Sequence, residues 1–160
     1  MRDWNSKLLW KEKIKMKEVL SVPGGRTIKI VKKYLIHAHP HPRSYKAAQY
    51  MTIRERGGIM DTLYSVQSEL ILRPLENNWE KEIKIFNEEI QKRLKSYIAD
   101  RAADFGFGEK EEYKFYLLNI EKELKHKPRT DGPLQTHSYY TLGELTSGRE
   151  IVLSESKLNK

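Results

Sequence analysis

Three residue types in this chain have the spacing that chemistry needs: histidine, lysine and tryptophan. His37, His39 and His41 recur at intervals of two in Ile36-His37-Ala38-His39-Pro40-His41-Pro42. On a strand, alternate residues point the same way, so three imidazoles would converge as metal ligands do. Pro40 and Pro42 disturb the strand where the third ligand has to join, and no obvious carboxylate partner stands nearby. We therefore read the run as solvated loop histidines. His37 and His39 are its metal candidates, and no cofactor is expected. Lys11, Lys13, Lys15 and Lys17 alternate along one stretch, and Lys29 and Lys33 follow on the next. Arg54 and Arg56 flank Glu55 ahead of Gly57-Gly58, a basic turn suited to a phosphate. Trp4 and Trp10 are available to stack on a base.

Two enzyme families share fragments of the histidine motif. His37-Ala38-His39 after an apolar strand resembles the His-hydrophobic-His motif of the HUH single-strand nucleases. That resemblance implies a divalent metal on the pair and Tyr97 as the attacking nucleophile, with Lys95 nearby. Tyr97, however, falls on an apolar stripe where burial is expected. His37-x-His39-Pro40 is similar to the JAMM metalloproteases, which imply a Ser-x-x-Asp downstream. Here Ser44 is followed by Tyr45, Lys46 and Ala47, and the next aspartate is Asp61, so the third ligand is missing. His126 and His137 are isolated, and Glu88-Glu89 and Glu111-Glu112 sit in charge-rich stretches. Pro23-Gly24-Gly25-Arg26 lacks the Lys-Ser/Thr of a phosphate-cradling loop. No constellation rises to a catalytic hypothesis, and an enzyme is not expected.

The elements that must carry these residues follow from periodicity. Residues 8–22 alternate, with the four lysines on one side and Trp10, Ile14 and Met16 on the other, which predicts a strand. Pro23-Gly24-Gly25 then predicts a turn, and residues 26–39 a second strand with Ile28, Ile30, Tyr34 and Ile36 inward and Lys29, Lys33 and His37 outward. The four lysines would form a row about 20 Å long at roughly 6.7 Å per step. Residues 45–56 and 59–72 predict a second hairpin around Gly57-Gly58, ended by Pro74. Trp79, Ile83, Phe86, Ile90, Leu94, Tyr97 and Ala102 predict one long amphipathic helix, capped by Asn77 or Asn78 and ending before Gly106. Residues 113–124 fit helix or strand, with the aromatic cluster favouring strand. Residues 125–133 predict a loop, and 139–145 and 150–153 short strands. The expected fold is α+β: antiparallel hairpins in a meander, packed on one long helix, with further short C-terminal strands.

Composition bounds the function. The chain has 160 residues, no cysteine, 16 aromatics and a net charge of +8, enough for one domain with a true core. No apolar run approaches the ~18–20 residues that a membrane span needs, so no membrane partner is expected. Met1-Arg2-Asp3-Trp4 leads into lysines and not into an apolar core, so no secretion signal is expected and the location is read as cytoplasmic, intracellular or virion-associated. Residues 1–35 carry ten Lys/Arg against three Asp/Glu, whereas residues 76–160 carry 15 against 16. This asymmetry predicts a basic N-terminal arm or hairpin over 1–39 on a single α+β body over 40–160. Two functions follow. A β-rich body with a projecting hairpin suits a structural subunit of a virion-, phage-tail- or connector-like particle, packing against copies of itself or other subunits. The alternative is a nucleic-acid-binding module using Lys11, Lys13, Lys15, Lys17, Lys29, Lys33, Arg54 and Arg56, which fits an acidic protein surface equally well.

Overall fold

The computed structural model describes residues 17–43, 45–108 and 112–159. Among these it is an α+β protein with a six-stranded, mostly antiparallel sheet. The strands are β1 (Glu18–Pro23), β2 (Ile36–Pro40), β3 (Tyr50–Arg54), β4 (Thr62–Leu72), β5 (Tyr113–Glu123) and β7 (Ser138–Thr141), in the order β2-β5-β4-β3-β1-β7. Two further strands, β6 (Arg129–Thr130) and β8 (Ile151–Val152), pair in parallel. The helices are α1 (Ile28–Tyr34), α2 (Trp79–Glu82), α3 (Glu88–Asp104), α4 (Leu142–Leu145) and α5 (Glu155–Leu158).

The expected N-terminal hairpin is corrected. β1 lies between β3 and β7, parallel to the first and antiparallel to the second, while β2 pairs with β5. Between β1 and β2 the chain does not run extended. After Gly25, at φ +55°, it makes a 3-10 turn and then helix α1. Ile30, Val31 and Tyr34 fall at helical spacing and turn toward the core, so packing overrides the strand preference of a β-branched run. Leu35 adopts the left-handed conformation at φ 56° and gives its N–H to Val31 O at 2.7 Å, which ends the helix and starts β2. The second expected hairpin is present. β3 and β4 pair antiparallel, Tyr50 with Ser65 and Met51 with Tyr64, across the Gly57-Gly58 turn.

The long helix is also corrected. The apolar stripe exists, with Ile83, Leu94 and Tyr97 fully buried, but the chain breaks inside it. Phe86 is extended at ψ 161°, and Asn87 begins a new helix by accepting the Ile90 N–H on its side chain at 2.9 Å. Asn78 stands at the N-cap of α2 but makes no side-chain cap bond, and the long helix α3 is capped instead by a third asparagine inside the periodic run, Asn87. Ile98 is buried where Ala102 was expected to be, and Ala102 is exposed. Near the C-terminus the predicted strand over 139–145 is half helix: Thr141 ends β7 and caps α4 by accepting the Glu144 N–H at 3.1 Å.

The described residues form two compact units, each with its own core. The first unit takes residues 17–23, 47–65 and 120–159, and buries Val19, Met60, Leu63, Leu124, Tyr140, Leu145 and Val152 together. The second takes residues 24–43, 45–46, 66–108 and 112–119. Its core joins Ile30 of α1, Ile36 and Ala38 of β2, Leu94, Tyr97 and Ile98 of α3, and Phe115 and Leu117 of β5. Full burial of a side chain of this size stabilises by about 1.5–3 kcal/mol relative to exposure.

Candidate nucleic-acid interface

In the second unit, the segment Gly25–Tyr34 carries four cations, Arg26, Lys29, Lys32 and Lys33, and no acid. All four are exposed. Lys29 and Lys33 were predicted to share an outer face on a strand. They share one on α1 instead, because a spacing of four is an even step on a strand and about one turn on a helix. Lys32 was overlooked. On the strand reading it shares the inward face with Ile28, Ile30 and Tyr34, and a lysine on a core face was the signal that the period was wrong. Lys33 lies 4.0 Å from Asp100 Oδ2 and 5.1 Å from the Tyr34 ring centre. Its pKa is raised, first by the Tyr34 hydroxyl and then by Asp100, so it stays cationic. The Arg26 guanidinium sits 5.9 Å above the Phe105 ring.

On α3, Lys92 and Lys95 are exposed too, but the two arginines face a different environment. Arg93 gives Nε–H to Tyr34 O at 2.9 Å and Nη2–H to Leu35 O at 3.1 Å and Leu118 O at 3.3 Å. Arg101 gives Nη1–H to Ala38 O at 2.9 Å and to the Tyr97 hydroxyl at 3.0 Å. These guanidiniums tie α3 to the chain around α1, β2 and β5.

Of the remaining predicted contacts, Lys11, Lys13, Lys15, Trp4 and Trp10 lie outside the described residues. In the first unit, Lys17 is half-buried, with its ammonium 5.7 Å from the Tyr50 ring centre, and Arg56 is exposed. Arg54 is corrected. It is buried, and its Nη1 donates to Ser21 O and Ser21 Oγ, both at 2.9 Å, and to Ser138 Oγ, while its Nη2 donates to Thr136 O. It points inward because β3 places Tyr50, Thr52 and Arg54 on one face, and its head group holds neighbouring backbone together instead of facing a phosphate.

Two of the three expected loop histidines are corrected as well, while His41 lies outside β2 and is half-buried. His37 and His39 stand within β2 and are 6% and 5% exposed. His39 Nδ1 lies 2.8 Å from Pro40 O, a pure acceptor, so Nδ1 carries the proton. Its Nε2, 2.8 Å from the Tyr116 hydroxyl, then accepts. Both nitrogens are engaged, and a metal at Nε2 would displace the tyrosine. Burial lowers the His37 pKa to about 3 and that of His39 to about 4, so both imidazoles are neutral. Among the described residues no three histidine, aspartate or glutamate side chains group as metal ligands. The nuclease arrangement is not formed. Ile36 and Ala38 pack in one cluster with Tyr97, and strand alternation turns His37 and His39 to the opposite face. Tyr97 is fully buried, burial raises its pKa, and its ring meets Phe115 edge-on at 6.0 Å.

No protein-family model matches the chain, and no curated protein matches it. Among solved structures it is similar to the ASCH protein from Zymomonas mobilis, at 13% identity over 86% of this chain and 99% of that one, with a TM-score of 0.45. A mutant of that protein, ZmASCH, is similar at 12% identity over 84% of this chain and 93% of that one, with a TM-score of 0.43. Both of these are ASCH proteins, where a virion-, tail- or connector-like subunit was expected. The projecting hairpin that motivated that expectation is replaced by β1, α1 and β2. The assembly-subunit reading is therefore dropped. Among the described residues no helix is long and apolar enough to cross a membrane.

Proposed function

We propose that the chain is a nucleic-acid-binding module that holds the phosphate backbone through Lys29, Lys32 and Lys33 on α1. The observation that carries this reading is an acid-free, exposed cationic segment over Gly25–Tyr34. Lysines on a short helix offer point charges that can meet phosphates at several registers, which suits backbone contact without base reading. Lys11, Lys13 and Lys15 extend the same chemistry along the sequence. The role is binding, with no catalytic step assigned to the chain.

Each phosphate neutralised releases condensed counterions, so affinity falls with salt. Three lost contacts reduce the slope of log K against log salt by about 2 on a single strand and nearly 3 on a duplex. The test is fluorescence anisotropy with labelled 20-nucleotide single strands and duplexes between 50 and 300 mM salt. We expect the triple variant Lys29→Gln, Lys32→Gln, Lys33→Gln to bind more weakly and with that shallower slope, whatever the sequence of the probe. Unchanged affinity and slope in the triple variant would remove α1 as the interface.

A further inference from the structure

Strand alternation gives β2 and β5 a second face, opposite the core, that backbone binding leaves unused. It carries His37 and His39 from β2 and, in register with them, Tyr116 and Lys114 from β5. The His37 and Tyr116 rings stand 6.1 Å apart and within 25° of parallel. The His39 ring is 6.1 Å from that of His37 and meets Tyr45 at 4.6 Å in a T-shaped contact. Beyond β2, Arg43 and Lys46 are exposed while Tyr45 is half-buried. Arg43 donates to the Tyr45 hydroxyl at 3.1 Å. Four rings, two of them uncharged imidazoles, thus share one face with cations at its margin.

One atom on this face is out of place for a purely structural cluster. His39 has partners for both ring nitrogens, but Nδ1 of His37, on a side chain more than nine-tenths buried, has no hydrogen-bond partner. Leaving a buried polar atom unsatisfied costs about 1–3 kcal/mol. An apolar ring in the same place would pack against Tyr116 without that penalty. We propose that this face is a binding site for an unpaired nucleobase, stacked on Tyr45 and hydrogen-bonded through its polar edge to His37 Nδ1. Tyr45 turns from His39 to admit the base, and Arg43 and Lys46 meet the phosphates on either side of it. A neutral imidazole suits this task, since its Nδ1 donates to a base edge in one tautomer and accepts from it in the other. The inference rests on the nucleic-acid reading and adds to it a preference for single strands over duplex.

The test uses the full chain and two labelled 12-nucleotide probes with the same number of phosphates, oligo(dT) and an abasic strand of the same length. Stacking of one base is worth roughly 5- to 150-fold in affinity. We expect oligo(dT) to bind tighter than the abasic strand by that margin, and Tyr45→Ala to abolish the difference while both probes still bind. His37→Phe, which keeps the ring but removes the polar atom, should narrow it. Tyr45 is half-buried on a loop, so its variant remains informative if His37→Phe fails to fold. Equal binding of the two probes by the unmodified protein overturns this site and leaves the phosphate contacts standing. Binding of neither probe overturns the nucleic-acid reading and this site with it.

Discussion

Helices α1 and α3 belong to the same unit, and the lysines of the first and the two arginines of the second are used in opposite ways, while Lys92 and Lys95 on α3 are exposed like the lysines of α1. Lys29, Lys32 and Lys33 on α1 are exposed. Arg93 and Arg101 on α3 lie half-buried and donate to six backbone carbonyl or hydroxyl oxygens between them, at 2.9–3.4 Å. The chemistry of the head group explains the division. A guanidinium has five donors in a rigid plane and can bridge several carbonyls at once, whereas an ammonium is a strongly hydrated point charge that stays in water. Counting positive charge therefore does not locate a phosphate site. Exposure has to be weighed with charge, and Arg54, buried among Ser21, Thr136 and Ser138, makes the same point in the first unit.

The sharpest way to break this comparison is to remove an arginine. Arg101→Ala leaves Ala38 O and the Tyr97 hydroxyl without their donor, and we expect urea denaturation to show a loss of about 3 kcal/mol with the salt slope of oligonucleotide binding unchanged. The unit's buried bases give a comparable effect by pH 5.5. His37 and His39 are held neutral down to about pH 3 and pH 4, chiefly by burial, with Arg101, Arg43 and Lys114 among the cations that add to it. Unfolded histidine takes its proton near pH 6.5, so stability is full above that value and falls as the pH drops through 6.5 toward 4. The slope is at most about 1.4 kcal/mol per pH unit for each group. Thermal unfolding at pH 7.5, 5.5 and 4.5 should show the decline, and His39→Gln should flatten it. Arg93→Lys keeps the charge but loses the fork, and should lower stability by about 1 kcal/mol. The smallest effect belongs to α1. Replacing its three lysines by arginine should leave both the melting curve, within about 0.5 kcal/mol, and the oligonucleotide affinity close to the original.

How much of this was legible depends on what kind of signal each residue carries. The β3–β4 hairpin was readable because Gly57-Gly58 fixes a turn between two alternating runs, and both glycines have positive φ. The burial of Tyr97 was readable from the stripe on its helix. The first hairpin was not, because in Ile28-Lys29-Ile30-Val31-Lys32-Lys33-Tyr34 the strand and helix periods compete over only seven residues. Contact with Leu94, Tyr97 and Ile98, distant in sequence, decides between them. Arg54 and Arg56 look alike in sequence, and only the placement of Ser21 and Ser138 beside β3 separates a buried arginine from an exposed one. Histidines beside prolines read as loop, yet His37 and His39 gain a strand partner more than 70 residues away in β5. No local pattern could supply that partner.

The contact between Arg101 and Ala38 has a bearing on how the chain behaves in crowded company. β2 ends the strand order of the sheet among the described residues. Just outside it, the Leu35 C=O accepts from Leu118 and the His41 N–H donates to Glu112, so the alternate residues, Ala38 among them, turn their groups to the outer margin. There the Ala38 carbonyl is already taken by a guanidinium, and Pro40 has no N–H to offer. A stray strand from a second molecule finds two rungs of the ladder missing and an obstructing side chain in its way. Arg101 and Pro40 thus make this margin a poor template for a further strand.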